Sequence, residues 1–325
     1  MMKKLFYFLI TTAIICISDN LNAQNDPLFT QYMQNRLIIN PAFSGSNIGL
    51  DIAAVARFQN IGLSNRLSST QTIAVSSSVE QLKGGLGLTL LNDMIGLQRT
   101  TSLQLSYAYQ KKIKEINIGV GAGVGFINMG INGAAIITPD GIYDNSFDHN
   151  DPNLSQNIAN SFSPDFSAGV YVGNEKFFAS VAVNHLYTNQ KIKGLSNSFT
   201  YNHDRNLIIG GGYNFTISKN FSVQPSLLLR TNFQKVQGDI SALFTVYKFF
   251  FTGIAFRGYS SKSVDAISFF IGGAIKGVKI MYSYDAGISN LRWFNTGSHE
   301  ISVSYYMPFK INKLDGKYYH NSRYL

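Results

Sequence analysis

Cysteine, proline, tryptophan and charge are all scarce in this chain of 325 residues. It has one cysteine, seven prolines and one tryptophan, and charged residues make up 14%. The cysteine, Cys16, lies near the N-terminus, so the rest of the chain has no disulfide framework and no thiol chemistry. The charge content falls well below the roughly 25% of soluble domains. Mean hydropathy is nevertheless near zero, and no long apolar run follows the N-terminus. A bundle of transmembrane helices is excluded. Neither a G-x-G-x-x-G fingerprint nor an H-x-x-x-H or C-x-x-C metal pair occurs. The expectation is no cofactor and no metal.

The first 23 residues read as a secretory signal peptide. Lys3 and Lys4 open it, Leu5 to Ile17 are its apolar stretch, and Leu21-Asn22-Ala23 ends in the small residue that cleavage needs. Ile15 precedes Cys16 where a lipoprotein signal requires a small residue. Cleavage makes Gln24 the first mature residue. Removing Lys3, Lys4 and Asp19 takes the net charge from +9 to +8.

The chain is rich in aromatics, with 24 Phe and 18 Tyr, and in glycine, with 29. These sit in short segments where apolar and polar residues alternate. Leu103, Leu105, Tyr107 and Tyr109 share one face, with Gln104, Ser106, Ala108 and Gln110 on the other. Ile116, Ile118, Val120, Ala122, Val124 and Phe126 alternate with Asn117, Gly119, Gly121, Gly123 and Gly125. Such a period of two gives a strand one greasy and one polar side. About fourteen of these segments lie between Gly49 and Phe309, among them Ser68–Val79, Ser163–Gly173, Asp204–Ile217 and Val278–Gly287. Pro225 falls inside one and marks an irregularity there. The fold class is all-β: a transmembrane antiparallel β-barrel of about 14 strands with an N-terminal periplasmic segment. The boundaries are signal peptide 1–23, N-terminal segment 24–48, outer-membrane barrel 49–311 and tail 312–325.

The connections carry an independent regularity. Every second one is short, around Leu82, Lys112, Asn174, Lys219, Lys248 and Gly277, and the long loops 130–162, 187–203 and 288–298 all fall between them. Outer-membrane barrels have short periplasmic turns and long outer loops. Lysines follow the same parity: Lys83, Lys111, Lys112, Lys114, Lys176, Lys219, Lys248, Lys276 and Lys279 lie at or beside the short turns. This basic rim reads either as an anchor to lipid phosphates or as a docking face for an acidic periplasmic partner. The lumen-facing glycines leave room for an inserted segment or let the wall curve.

The segment before the first strand is rich in aromatics that do not suit a loose tail in water. Phe29, Tyr32, Met33 and Phe43 are expected to fold against the barrel's base or lumen, closing its periplasmic mouth, or to bind another protein. In the loop 130–162, Asp144, Asp148, His149, Asp151 and Asn153 invite a calcium reading, but their spacing does not match an EF-hand.

Three stretches resemble the PorP/SprF family of type IX secretion. The first contains Asp26-Pro27, Phe29-Thr30-Gln31-Tyr32-Met33 and Asn40-Pro41-Ala42-Phe43-Ser44-Gly45-Ser46. The second is Gly210-Gly211-Gly212-Tyr213-Asn214-Phe215 with Gln224-Pro225-Ser226. The third is Tyr282-Ser283-Tyr284-Asp285 followed by Gly297-Ser298-His299-Glu300-Ile301. Arg36 stands where the family more often has an apolar residue or proline. The resemblance implies an outer-membrane component of the type IX secretion and gliding machinery that supports export or surface attachment of large adhesins. Its partners would be secretion components, an adhesin C-terminal domain and outer-membrane lipid, with no nucleic acid. Asp26, Pro27, Phe29, Tyr32, Asn40, Pro41, Phe43, Asp285, His299 and Glu300 are the candidate partner contacts.

Two other readings stand beside this one. About fourteen strands can enclose a solute channel, although Ser, Gly, Asn and Gln dominate the inward positions. A hydrolase would use His299 with the neighbouring Asp285. The expectation is a protein that is not an enzyme.

Overall fold

The computed structural model describes residues 26–62, 68–143, 148–149, 157–187, 190–192, 199–201, 204–259, 264–288, 293 and 295–308. The expected signal peptide 1–23 with Cys16, the tail 312–325, and Asp144, Asp151 and Asn153 of the calcium reading lie outside these residues.

Alternation becomes wall. The strands are β1 (Leu50–Gln59), β2 (Ser68–Val79), β3 (Gly84–Ile95), β4 (Gln98–Ile113), β5 (Ile116–Asn132), β6 (Ile158–Gly173) and β7 (Phe177–Asn184). Next come β8 (Gln190–Ile192), β9 (Phe199–Tyr201), β10 (Asn206–Tyr213) and β11 (Phe215–Ser218). The series ends with β12 (Phe221–Thr231), β13 (Val236–Val246), β14 (Phe250–Tyr259), β15 (Val264–Ile275), β16 (Val278–Gly287) and β17 (Ser298–Met307). Each wall strand pairs antiparallel with its neighbour, and β1 pairs with β17 as well as β2, so the sheet closes. With β11 counted as the continuation of β10, this is a 14-strand barrel. Closure removes the unpaired edges that lipid would not tolerate.

The outward residues meet lipid. Leu105, Val120 and Val124 are each more than half exposed, while the intervening Ser106, Gly121 and Gly123 are buried in the lumen. Turns of two to four residues close the short-turn end. Lys276 and Gly277, both at positive φ (50° and 83°), join Ile275 to its partner Val278. Positive φ at both turn residues matches the right-handed twist of the strands, and glycine takes the second at little cost.

Several details differ from the expected boundaries. β5 and β6 run to Asn132 and back from Ile158, so the long loop there is 133–157. Their inward Met129 and Ala159 pack together with Ile131, which rewards the extension. The loop 187–203 carries its own short hairpin, β8 with β9. Pro225 lies in β12 between the stretch paired with β10 and the stretch paired with β11. Its missing N–H therefore falls where the ladder already breaks.

Candidate functional site

Residues 26–48 fill the lumen. The segment contains two short 3-10 turns, Arg36–Ile38 and Pro41–Phe43. Asn40 caps the second, its side-chain oxygen accepting from the Ala42 N–H at 2.9 Å, and Pro41 fits the first helical position. The same Asn40 amide donates to the carbonyls of Val170 (3.1 Å) and Val181 (3.3 Å) in the wall. The chain descends from Asp26, beside His185 at the upper end of β7, to Gly45 beside Gly85 at the lower end of β3. Of the two expected places, the periplasmic mouth and the lumen, the segment therefore occupies the lumen. Its aromatic and apolar residues need more contact than a rim offers.

Apolar packing and shape hold the lower half. Tyr32, Met33 and Ile39 form one cluster with Ile208, Leu228, Leu243, Phe251, Phe270 and Met281 of the wall. Phe43 stacks on Tyr171 with ring centroids 4.6 Å apart and planes 17° from parallel. Glycine makes the wall thin where the segment passes. A methyl added at Gly121 would meet the Ala42 nitrogen and Cα at 2.6 Å, and one at Gly85 would meet the Gly45 nitrogen at 2.6 Å. Real Cβ atoms do not approach backbone that closely, so side chains at these two positions would expel the segment.

A buried ion network holds the upper half. Arg57 of β1 pairs with Asp285 of β16 at 2.6 Å and with Glu300 of β17 at 3.0 Å. Arg257 of β14 pairs with Asp239 of β13 at 2.8 Å and reaches Asp285 at 3.3 Å. Thr30 and Gln31 sit at the centre. Glu300 accepts both of their backbone N–H groups, each at 2.8 Å. The Thr30 hydroxyl donates to Asp285 (2.8 Å) and accepts from Arg57 (2.8 Å) and Arg257 (3.2 Å). That uses one donor and two lone pairs, the whole capacity of a hydroxyl. Ser302 donates to the Gln31 side-chain oxygen at 2.5 Å, and the Gln31 amide donates to Ser283 at 3.1 Å. Above this, His185 faces Asp26 at 2.8 Å through Nε2 and Asp165 at 3.0 Å through Nδ1. Arg230 donates to the Pro27 carbonyl at 3.0 Å.

The candidate contacts read from the sequence thus divide by face. Asp26, Pro27, Phe29, Tyr32, Asn40, Pro41 and Phe43 belong to the lumen segment, and Asp285 and Glu300 receive it. His299 does not join them. It pairs with Tyr284 in register, on the outer face, with its Nδ1 at 2.6 Å from the Tyr282 hydroxyl. Asp285 faces the lumen, so the Asp285–His299 pairing of the hydrolase reading is corrected: neighbours in adjacent strands, they lie on opposite sides of the wall. Arg57, Asp239 and Arg257 are not among the sequence candidates, and they bring charge into a lumen expected to be lined by small polar residues. The available signal was a set of charged residues of both signs at inward phase near the outer ends of strands.

Below the segment lies a cavity of about 730 Å³ that opens at the short-turn end. Arg36 and Lys279 line it with Lys176, Lys219, Lys248 and Lys276. The Arg36 guanidinium lies over the Phe178 ring at 4.0 Å. This accounts for a cation at a position where an apolar residue would also pack. The calcium reading gains no geometry: Asp148 makes a backbone bridge with Ile142, and His149 Nδ1 lies 3.1 Å from the Tyr143 hydroxyl.

Solved barrels share this architecture at very low identity. The Pseudomonas putida toluene transporter TodX matches with TM-score 0.50 and 7% identity, over 83% of this chain and 92% of that one. The monoaromatic hydrocarbon channel CymD matches with TM-score 0.50 and 10% identity, over 87% and 93%. The Acinetobacter baumannii outer membrane protein Omp33 matches with TM-score 0.44 and 7% identity, over 81% and 100%. At these identities the likeness is one of fold. A search of the curated proteins found no match. The family model described as type IX secretion system membrane protein PorP/SprF matches residues 21–305, which take in the lumen segment and the wall as far as β17. This outer-membrane barrel therefore belongs to the PorP/SprF family of type IX secretion system membrane proteins.

Proposed function

We propose that this protein supports export or surface attachment of large adhesins by binding other proteins, as a sealed barrel and not as a pore or an enzyme. The observation that carries the reading is the filled lumen. A solute channel needs a water-filled path, and here the chain's own residues 26–48 pack the interior through the ion network and the Tyr32 cluster. What a sealed barrel offers is its two ends: long loops outside and a basic rim with a vestibule inside. No chemical step is assigned to His299, whose outward ring packs near Tyr282 and Tyr284 in the manner of an interfacial aromatic belt.

The test is a pull-down of tagged protein from detergent-solubilised outer membranes, read by mass spectrometry, beside surface display of adhesins in a strain lacking the gene. Recovery of type IX components or an adhesin C-terminal region, with display lost in the deletion strain, is the expected result. A lone barrel that conducts ions in planar bilayers would favour the channel reading, which otherwise has only the shared fold of hydrocarbon transporters behind it.

A further inference from the structure

We propose that the periplasmic vestibule is a binding site for an acidic peptide segment of a partner protein, with Lys279 and Arg36 as its deepest contacts. This rests on the secretion reading only for the compartment in which the partner lies.

The argument begins with Lys279. It follows the turn at Gly277 and belongs to the inward phase of β16, so its side chain points into the barrel and not toward lipid phosphates. Its amine lies 3.7 Å from the centre of the Phe251 ring. Among the described residues no carboxylate pairs with it. The guanidinium of Arg36 lines the same cavity. Two cations facing one partly enclosed cavity repel each other, and an anion between them removes that cost. Four further lysines, Lys176, Lys219, Lys248 and Lys276, surround the opening. Asp51 and Glu175 are the acids in the lining, and Asp51 is already engaged by the Asn47 amide at 2.6 Å. Six basic residues therefore line the cavity against two acidic ones.

The shape favours a peptide over lipid or a small ion. The cavity opens along the barrel axis, inside the wall, and its roof is the lumen segment, where no headgroup reaches. About 730 Å³ is much more than one phosphate or carboxylate fills. Asn214, Asn220 and Gln224 supply amide donors and acceptors for an extended backbone, and Phe177 and Phe221 supply apolar walls. The chain's own tail does not fit: Lys310, Lys313, Lys317 and Arg323 outweigh Asp315.

The test uses the full chain in detergent or nanodiscs. A fluorescent Glu-rich peptide of about a dozen residues is titrated by anisotropy at low and high salt. Binding that weakens with salt is expected. Lys279→Gln should lower the affinity about tenfold or more, while Lys114→Ala, at the β4–β5 turn outside the cavity, should leave it unchanged. Folding of each variant is read by heat-modifiable mobility. A second measurement avoids removing charge. Once residues 1–23 with Cys16 have been cleaved, Ser304→Cys places a single thiol in the vestibule wall. The peptide should slow its reaction with maleimide and leave Glu115→Cys, at the β4–β5 turn, unaffected. Absent binding, equal loss in Lys279→Gln and Lys114→Ala, or equal protection by inorganic phosphate alone would overturn the proposal. Loss of adhesin display in the deletion strain, with no peptide bound, would overturn the vestibule site and leave the secretion reading standing.

Discussion

Arg57 and Asp285 are 228 residues apart in sequence and 2.6 Å apart in the lumen. Their strands are not neighbours: β17 stands between them. The pair reaches across β17 from inside the barrel, and β17 itself contributes Glu300 to the same guanidinium. The same buried cluster therefore links the β1–β17 closure to the seated segment. The Thr30 and Gln31 amides bind a carboxylate that is correctly placed only once β1 has met β17.

Glu300→Ala should therefore be costly. The change leaves Arg57 with one carboxylate partner and strips Thr30 and Gln31 of their shared acceptor. Breaking a buried pair by removing one member costs about 3–5 kcal/mol. A lower urea midpoint with an intact β-sheet spectrum is the expected outcome. Glu300→Gln, which keeps an acceptor but no charge, should fall between the variant and the parent.

Gly121→Leu tests the fit of the segment and not its charges. The added side chain would occupy the place of the Ala42 backbone. The barrel should still form, because position 121 is inward and its ladder bonds are unchanged. The segment near Asn40 should loosen, and proteolysis between residues 34 and 46 should become measurable. Resistance equal to the parent would show that the segment does not pass there.

His185→Ala should loosen the upper end alone. The imidazole bridges Asp26 and Asp165, tying the start of the segment to β6. Hydrogen exchange should quicken at residues 26–29 while the amides of Thr30 and Gln31, held by Glu300, stay protected.

Much of the wall was legible, because a period of two leaves a mark on each strand independently. Ser68–Val79 and Val278–Gly287 match their sequence-derived bounds, and the short turns fall at one end of the barrel as their parity implied. The glycines of β5 also pointed to an inserted segment. The lumen network was not legible for the opposite reason. Arg57, Asp239 and Arg257 each look like an isolated polar residue in their own strand; Asp239 and Arg257 meet as partners across β13 and β14, and Arg57 joins them only when β1 closes on β17. His299 shows a different failure. It stands beside Glu300 in sequence, and successive residues of a strand cannot share a face. Strand phase alone therefore puts His299 and Glu300 on opposite sides of the wall, and Asp285 lies on the side of Glu300.

The central claim is that the chain seals its own barrel, and conductance in planar bilayers tests it most directly. The parent protein should show no sustained conductance, and deletion of residues 26–36, which removes Thr30, Gln31 and Tyr32, should open a stable ohmic pore. A parent that conducts steadily, or a deletion variant that is folded and still silent, would contradict the account.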